Sequence, residues 1–293
     1  MYDIIIIGAG PAGLTAAIYA CRLNKKVLVL EAKSYGGQII NSLDIENYPA
    51  IEHINGFDFA TNLYNQVRDL GATIKFEKVS EIKNGKIKRV ITTNNIYNTR
   101  AIIIATGCEN RKLGLDKENE LIGKGISYCA TCDGAFYKDK IVSIVGGGNT
   151  ALEDALYLSR IAKEVYLIHR RNTLKGDDKT INLLKQRDNV HFLLNSIVNK
   201  INGDEKLQSI LVNDKVLKID GLFIAIGQVP SSEWLNKIIN VDENGYIISG
   251  GNCHTNRKGI FVAGDVRKKN IRQLVTSVSD GAIAAIEAVK YLK

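Results

Sequence analysis

Residues 2–31 read YDIIIIGAGPAGLTAAIYACRLNKKVLVLE: an apolar run, a glycine turn, a helical stretch and a second apolar run. That order is a βαβ unit, and about thirty residues is what a strand, a crossover helix and a parallel strand require. Residues 140–171, KIVSIVGGGNTALEDALYLSRIAKEVYLIHRR, repeat the pattern. Each unit is followed much later by an apolar strand closing on a glycine, AIIIATG at 101–107 and LFIAIG at 222–227. Uninterrupted apolar runs of this kind suit parallel strands covered on both faces.

The expected fold class is therefore α/β, with two Rossmann-like dinucleotide-binding domains. A last strand, GIFVAGD at 259–265, precedes a helical pattern from about Gln273 to Leu292 but has no glycine-rich turn ahead of it. It needs an existing sheet to complete, and its natural place is the first domain. The second domain then becomes an insertion, with the first domain at 1–111 and 239–293 and the inserted one at 112–238. Hairpins are expected around Asn84-Gly85 and Asn202-Gly203.

Composition bounds the function. The chain has 293 residues, 45% of them apolar and 24% charged, with three prolines, which suits two globular domains rather than a disordered chain. The first apolar run, Ile4 to Ile7, is too short for a signal peptide or a membrane span, so a cytoplasmic protein without a membrane partner is expected. Five cysteines, an odd number, fit a reducing compartment. The net charge of +8 is dispersed, and even the densest cluster, Arg267 to Arg272, holds only four basic residues. With no zinc-finger or RNP-like pattern beside it, no nucleic-acid partner is expected.

The two glycine turns differ in what they can hold. Gly8, Gly10 and Gly13, with Pro11 and Ala12 between them, stand directly between strand and helix. The first glycine permits the tight turn, the second lets backbone approach a pyrophosphate and the third allows close helix packing. The helix N-terminus adds N–H groups and positive dipole for the phosphates. Glu31, 23 residues after Gly8, ends the next strand, where a carboxylate accepts from ribose hydroxyls. Gly146, Gly148 and Ala151, with Asn149 and Thr150, form the second turn, but the same offset reaches His169, Arg170 and Arg171. A carboxylate would repel the 2'-phosphate of NADP, whereas guanidinium groups bind it through charge-assisted hydrogen bonds. Lys175 offers a further positive charge. One resident and one diffusing nucleotide then fit the pair of sites, FAD in the first and NADPH in the second.

Cys129-Ala130-Thr131-Cys132-Asp133-Gly134 lies just before the second βαβ unit. Two intervening residues leave both sulfurs on one side of a turn, within reach of a disulfide, and Asp133 stands ready to relay a proton during exchange. The same spacing also serves zinc, which needs four ligands. Cys21, Cys108 and Cys253 are isolated, and His53, His169, His191 and His254 show no ligand spacing, so no metal is expected. Cys21 falls on the apolar side of the first helix; Cys108 and Cys253 have no role assigned.

GAGPAG at 8–13, GGQ at 36–38, ENYP at 46–49, ATG at 105–107, CATCDG at 129–134, GGGNTA at 146–151, HRR at 169–171, AGD at 263–265 and RQ at 272–273 stand in the order of the low-molecular-weight thioredoxin reductases, and the resemblance covers the whole chain. It implies FAD contacts from the first turn, Glu31, Gly37, Gln38, Asn47, Thr106, Gly107, Gly264, Asp265, Arg272 and Gln273. It also implies NADPH contacts from the second turn, His169, Arg170, Arg171 and Lys175, a redox dithiol of Cys129 and Cys132 assisted by Asp133, a thioredoxin or thioredoxin-like partner, and a homodimer. A relative drawing on another electron donor would be expected to lose GGGNTA and HRR, which are present. Two departures stand out: Lys175 where the family often has arginine, and Ala50 where it often has glycine.

Overall fold

The computed structural model describes residues 1–42 and 44–293. The chain forms two compact units, residues 1–109 with 229–293 and residues 110–228.

In the first unit the isoleucine run forms β1 (Tyr2–Ile7) at the middle of a seven-stranded sheet. Parallel partners flank it: β2 (Val27–Glu31) and then β3 (Thr73–Phe76) on one side, and β6 (Ile96–Ile104) on the other. The far edge of β6 is shared. Its N-terminal half pairs antiparallel with β5 (Lys88–Thr92), which continues to β4 (Val79–Lys83), while Ile102 to Ile104 pair parallel with β17 (Ile260–Val262).

Side chains alternate across a strand, so both faces of this sheet need cover. Ile4, Ile6, Val27, Val29, Ala101 and Ile103 face a core closed by α1 (Pro11–Arg22) and α6 (Leu274–Leu292). Ile5, Ile7, Leu28, Leu30, Ile102 and Ile104 face a second core containing Leu235, Ile239 and Ile247. This double burial explains why the strands read as unbroken apolar runs. It also corrects the expected boundary at 238: Leu235 and Ile239 are buried in the first unit's core, so the inserted unit ends ten residues earlier, at Gln228. A helix not foreseen, α2 (Gly56–Asp69), starts where the Asn55 side chain accepts from the Asp58 N–H at 2.8 Å.

The second unit repeats the plan. Its parallel sheet runs β11 (Val190–Leu193), β10 (Glu164–Ile168), β9 (Ile141–Val145), β15 (Gly221–Ile224) and β8 (Ile126–Ser127). Helices α4 (Asn149–Leu158) and α5 (Asp178–Lys185) cover one face through Ala151, Leu152, Ala155 and Leu184. The other face packs on a three-stranded antiparallel sheet of β12 (Val198–Gly203), β13 (Leu207–Val212) and β14 (Lys215–Lys218). The turn between β12 and β13 falls at residues 204–206, just past the expected Asn202-Gly203, because those two residues still pair with Ser209 and Leu207. The hairpin at Asn84-Gly85 joins β4 to β5 as expected. The short α3 (Ala130–Asp133) follows β8, and β7 (Cys108–Asn110) and β16 (Gln228–Pro230) pair as a two-stranded ribbon where the chain passes between units. Among the described residues, no helix is long and apolar enough to cross a membrane.

Candidate functional site

In the first unit, three separated motifs converge on the turn between β1 and α1. Gly8 has a φ of +106°, and a Cβ there would overlap the Ala105 carbonyl oxygen. A Cβ on Gly13 would overlap the Gly8 carbonyl, and one on Gly264, whose φ is +79°, would come to 2.8 Å from the Ala12 Cβ. Gly8 and Gly13 of GAGPAG thus admit the backbone of Ala105 and of Gly8 itself, and Gly264 of AGD admits the Ala12 side chain, so the three motifs meet where a Cβ has no room. Gly10 differs: a Cβ there would meet nothing nearer than the Gly37 Cα at 4.0 Å. The open space lies at an α1 N-terminus with no side-chain cap and no acid in its first turn, a cradle suited to a dinucleotide pyrophosphate.

The polar residues expected around this turn have local duties. Glu31 accepts from the N–H groups of Ala9 at 2.7 Å and Lys33 at 2.9 Å, which shapes the turn and still leaves acceptor capacity on an ionised carboxylate. Gln38 donates to the Cys108 carbonyl at 3.4 Å. Asn47 and Gln273, 226 residues apart, meet at 3.5 Å. Gln273 also forms a capping box with Thr276 at the start of α6, a role its sequence context does not advertise. Thr106 donates to the Ser231 carbonyl at 2.9 Å. The Arg272 guanidinium lies 4.0 Å from the Tyr246 ring centroid and donates to the Asp265 carbonyl at 3.2 Å.

Beneath AGD lies an ionic network that sequence reading missed. The Asp265 carboxylate takes Lys269 at 3.2 Å and the Ser277 hydroxyl at 3.0 Å. Asp280, buried on α6, takes Lys269 at 3.1 Å, Arg267 and the Gly264 N–H at 3.1 Å. Two cysteines border it: Cys253 donates to the Asp280 carbonyl at 3.6 Å and Cys108 to that of Asp265 at 2.9 Å. Burial pushes the Cys108 thiol up to about 12 and the Cys253 thiol to about 11, so both pack as neutral groups. Cys21 packs against the α1 core, and burial raises its thiol too.

The second turn, between β9 and α4, has the same form and the opposite charge. A Cβ on Gly148 would meet nothing within 4 Å, whereas one on Gly147 would overlap the His169 ring. His169 Nε2 is buried without a hydrogen-bond partner in the protein, and burial, reinforced by Arg171 and Arg170, lowers the ring's pKa. Arg170, Arg171 and Lys175 are exposed. The loop that follows returns to the turn: the Lys175 N–H donates to the Gly147 carbonyl at 2.7 Å and the Asp177 N–H to Asn149 Oδ1 at 2.8 Å. An open glycine turn, an orphaned ring nitrogen and three exposed cations suit a phosphorylated dinucleotide.

Cys129 and Cys132 are disulfide-bonded, with Cα atoms 5.3 Å apart. Cys129 stands at the N-cap of α3, and both cysteines are half-buried with the exposed Thr131 between them. Asp133 closes the turn; burial raises its carboxyl, and a hydrogen bond from Ser127 partly opposes the rise. A Cβ on Gly134 would come to 2.6 Å from the Tyr157 ring, so the glycine lets the dithiol turn sit close against α4.

A family model described as pyridine nucleotide-disulphide oxidoreductase matches residues 2–281. The chain belongs to this family. The thioredoxin reductase of Listeria monocytogenes is 40% identical over 301 residues, covering 100% of this chain and 94% of the relative. That of Bacillus subtilis is 40% identical over 301 residues, covering 100% and 95%. Among solved structures, thioredoxin reductase from Streptococcus pyogenes matches with a TM-score of 0.95 at 39% identity, covering 100% of this chain and 98% of that one.

Two further features were not legible in the sequence. Asp44, Glu46 and His53 bring ligand atoms within 4.8 Å of one another, a grouping hidden by their irregular spacing. His53 pairs with Asp44 at 2.9 Å, and that hydrogen bond raises the imidazole pKa. Ala50, where the family often has glycine, has a φ of +69°. A Cβ in this left-handed conformation costs about 1 kcal/mol, partly offset by the greater unfolded-state freedom of glycine. Ala50→Gly is therefore expected to stabilise the protein by about 0.5 kcal/mol, read as a higher denaturant midpoint at unchanged slope.

Proposed function

We propose that this chain is an NADPH-dependent thioredoxin-disulfide reductase that carries FAD. The observation that carries the proposal is the half-buried Cys129–Cys132 disulfide, set in the same unit as a dinucleotide turn edged by Arg170, Arg171 and Lys175. The first unit holds FAD: the α1 N-terminus takes the pyrophosphate, Glu31 a ribose, and Asp265 and the AGD backbone the chain toward the flavin. The second unit holds NADPH, with Arg170 and Arg171 on the 2'-phosphate.

When bound, FAD accepts a hydride from NADPH and passes on an electron pair. The protein's own part begins at the disulfide, whose S–S bond breaks as the two sulfurs become a dithiol. One thiolate attacks the acceptor disulfide to form a mixed disulfide, and the other sulfur then displaces the acceptor. Asp133, a carboxyl whose protonated form burial favours, supplies the proton that the departing thiolate needs. The acceptor is thioredoxin or a thioredoxin-like protein. A homodimer, on the strength of the family resemblance, and a cytoplasmic location, which the odd number of cysteines supports, complete the proposal. Dispersed positive charge supports the absence of a nucleic-acid partner.

Anaerobic titration of the flavoprotein tests the nucleotide assignment. Wild type is expected to bleach with NADPH and to sustain thioredoxin reduction with it. Arg170→Ala/Arg171→Ala is expected to raise the KM for NADPH roughly 30-fold, equivalent to about 2 kcal/mol, with little change for NADH. Equal preference for NADH in wild type would remove the phosphate role from these arginines.

A further inference from the structure

Ser127 ends β8, a strand held by parallel pairing with β15, and it is buried. Its hydroxyl sits between the two chemically active ends of the dithiol turn. Ser127 Oγ lies 2.6 Å from Asp133 Oδ2, accepts the Cys129 N–H at 3.0 Å and lies 3.3 Å from the Cys129 carbonyl oxygen. A hydroxyl has one proton to give and two lone pairs to offer. Those three neighbours can be satisfied in either protonation state of Asp133.

With Asp133 ionised, the Ser127 proton points to Oδ2 and the oxygen accepts from Cys129 N–H. With Asp133 protonated, its own proton points to Ser127 Oγ, which still accepts from Cys129 N–H, and the serine proton turns to the Cys129 carbonyl. No heavy atom moves between the two arrangements, and no donor is left idle. A buried acid that must gain and lose a proton ordinarily pays for one state in unsatisfied polar groups; here a rotating hydroxyl removes that penalty.

We propose that Ser127 is a positioning residue for the dithiol chemistry, a rotor that lets Asp133 exchange its proton at fixed geometry while tying it to the backbone of Cys129. The proposal rests on the reading of Cys129 and Cys132 as the redox pair. It extends that reading to a residue outside the cysteine motif. Burial acts on the Asp133 carboxyl in one direction and the Ser127 hydroxyl in the other. The next titratable side chain along the turn, Tyr137, is pushed up to about 12 by burial, then by Asp133 and Asp220, and stays neutral throughout the working range. From α4, which packs against α3, Tyr157 reaches Gly134. The same helix carries Glu153 and Asp154, and burial, then Glu153, pushes the Asp154 carboxyl up to about 7.

The decisive measurement is the Asp133 titration itself, read by infrared difference spectroscopy or carboxyl-carbon NMR on the oxidised flavoprotein. Asp133→Asn identifies its signal against that of Asp154. Removing a donor that favours the ionised form raises the pKa, so in Ser127→Ala the Asp133 titration is expected about one pH unit higher. The alkaline limb of thioredoxin reduction, where the proton donor is lost, is expected to move up by the same amount. Ser127→Thr, which keeps the hydroxyl, is expected to restore both. Should the alanine variant fail to fold, Ser127→Gly reads the same shift. An unshifted Asp133 titration in the variants lacking the hydroxyl overturns the proposal, as does lost turnover with an unmoved pH limb. A shifted titration in a protein that reduces no thioredoxin leaves the Ser127–Asp133 link standing and overturns the function on which its catalytic meaning rests.

Discussion

Replacing Cys132 by serine is expected to lower NADPH-driven thioredoxin reduction by on the order of 10³-fold or more, while the flavin is still bleached by NADPH. The two outcomes separate because hydride transfer and disulfide exchange call on different residues. Hydride transfer needs the two nucleotide sites, which belong to glycine turns whose residues this substitution does not touch. Disulfide exchange needs two sulfurs, one to attack and one to resolve the mixed disulfide, and a hydroxyl does neither at neutral pH. Cys129→Ser is expected to give the same loss. The pair also reports direction: whichever variant keeps the attacking thiol accumulates a covalent complex with thioredoxin, visible on a non-reducing gel and dissolved by dithiothreitol. Turnover within tenfold of wild type in either variant would place the exchange chemistry elsewhere in the chain.

Much of this site was legible because its parts are periodic or punctuated. Ile4 to Ile7 and Ile102 to Ile104 read as strands covered on both faces because their alternate side chains enter different cores. GAGPAG and GGGNTA read as turns because a Cβ at Gly8, Gly13 or Gly146 would overlap backbone. The CATCDG spacing gave a pair that the fold does close as a disulfide. What stayed hidden depends on contacts between residues far apart in the chain. Ser127 looks like any strand residue until β8 sets it against Asp133. The domain boundary moved from 238 to 228 because Leu235 and Ile239 fill the first unit's core without any periodic signal of their own. Likewise the Arg267 to Arg272 cluster, counted as a minor basic patch, contains two residues turned inward: Arg267 is buried, and the Lys269 side chain is only 13% exposed.

That inward turn leads to the second large effect: Asp280→Ala is expected to destabilise the protein by about 3–5 kcal/mol. Asp280 is the only carboxylate that Arg267 meets among the described residues, it shares Lys269 with Asp265, and it accepts the Gly264 N–H. Its removal leaves a guanidinium without its counter-ion in a setting where the side chains are 8% and 10% exposed. An uncompensated buried charge costs far more than a surface pair is worth, which separates this network from exposed bridges such as Lys33 with Glu109. The loss falls beside AGD, since Gly264 depends on Asp280 for its N–H, and Asp265 then has Lys269 to itself. Weaker FAD retention is therefore expected along with a lower melting temperature. The network's own share is separable by a double-mutant cycle with Arg267→Met, which removes the stranded cation along with its partner. Replacing both residues is expected to recover a substantial part of the stability lost in Asp280→Ala, as buried pairs exchanged for apolar side chains commonly do. Denaturant unfolding of the four proteins at saturating FAD decides the matter: strictly additive losses would mean that Arg267 and Asp280 act independently, and that the turn owes its order to packing alone.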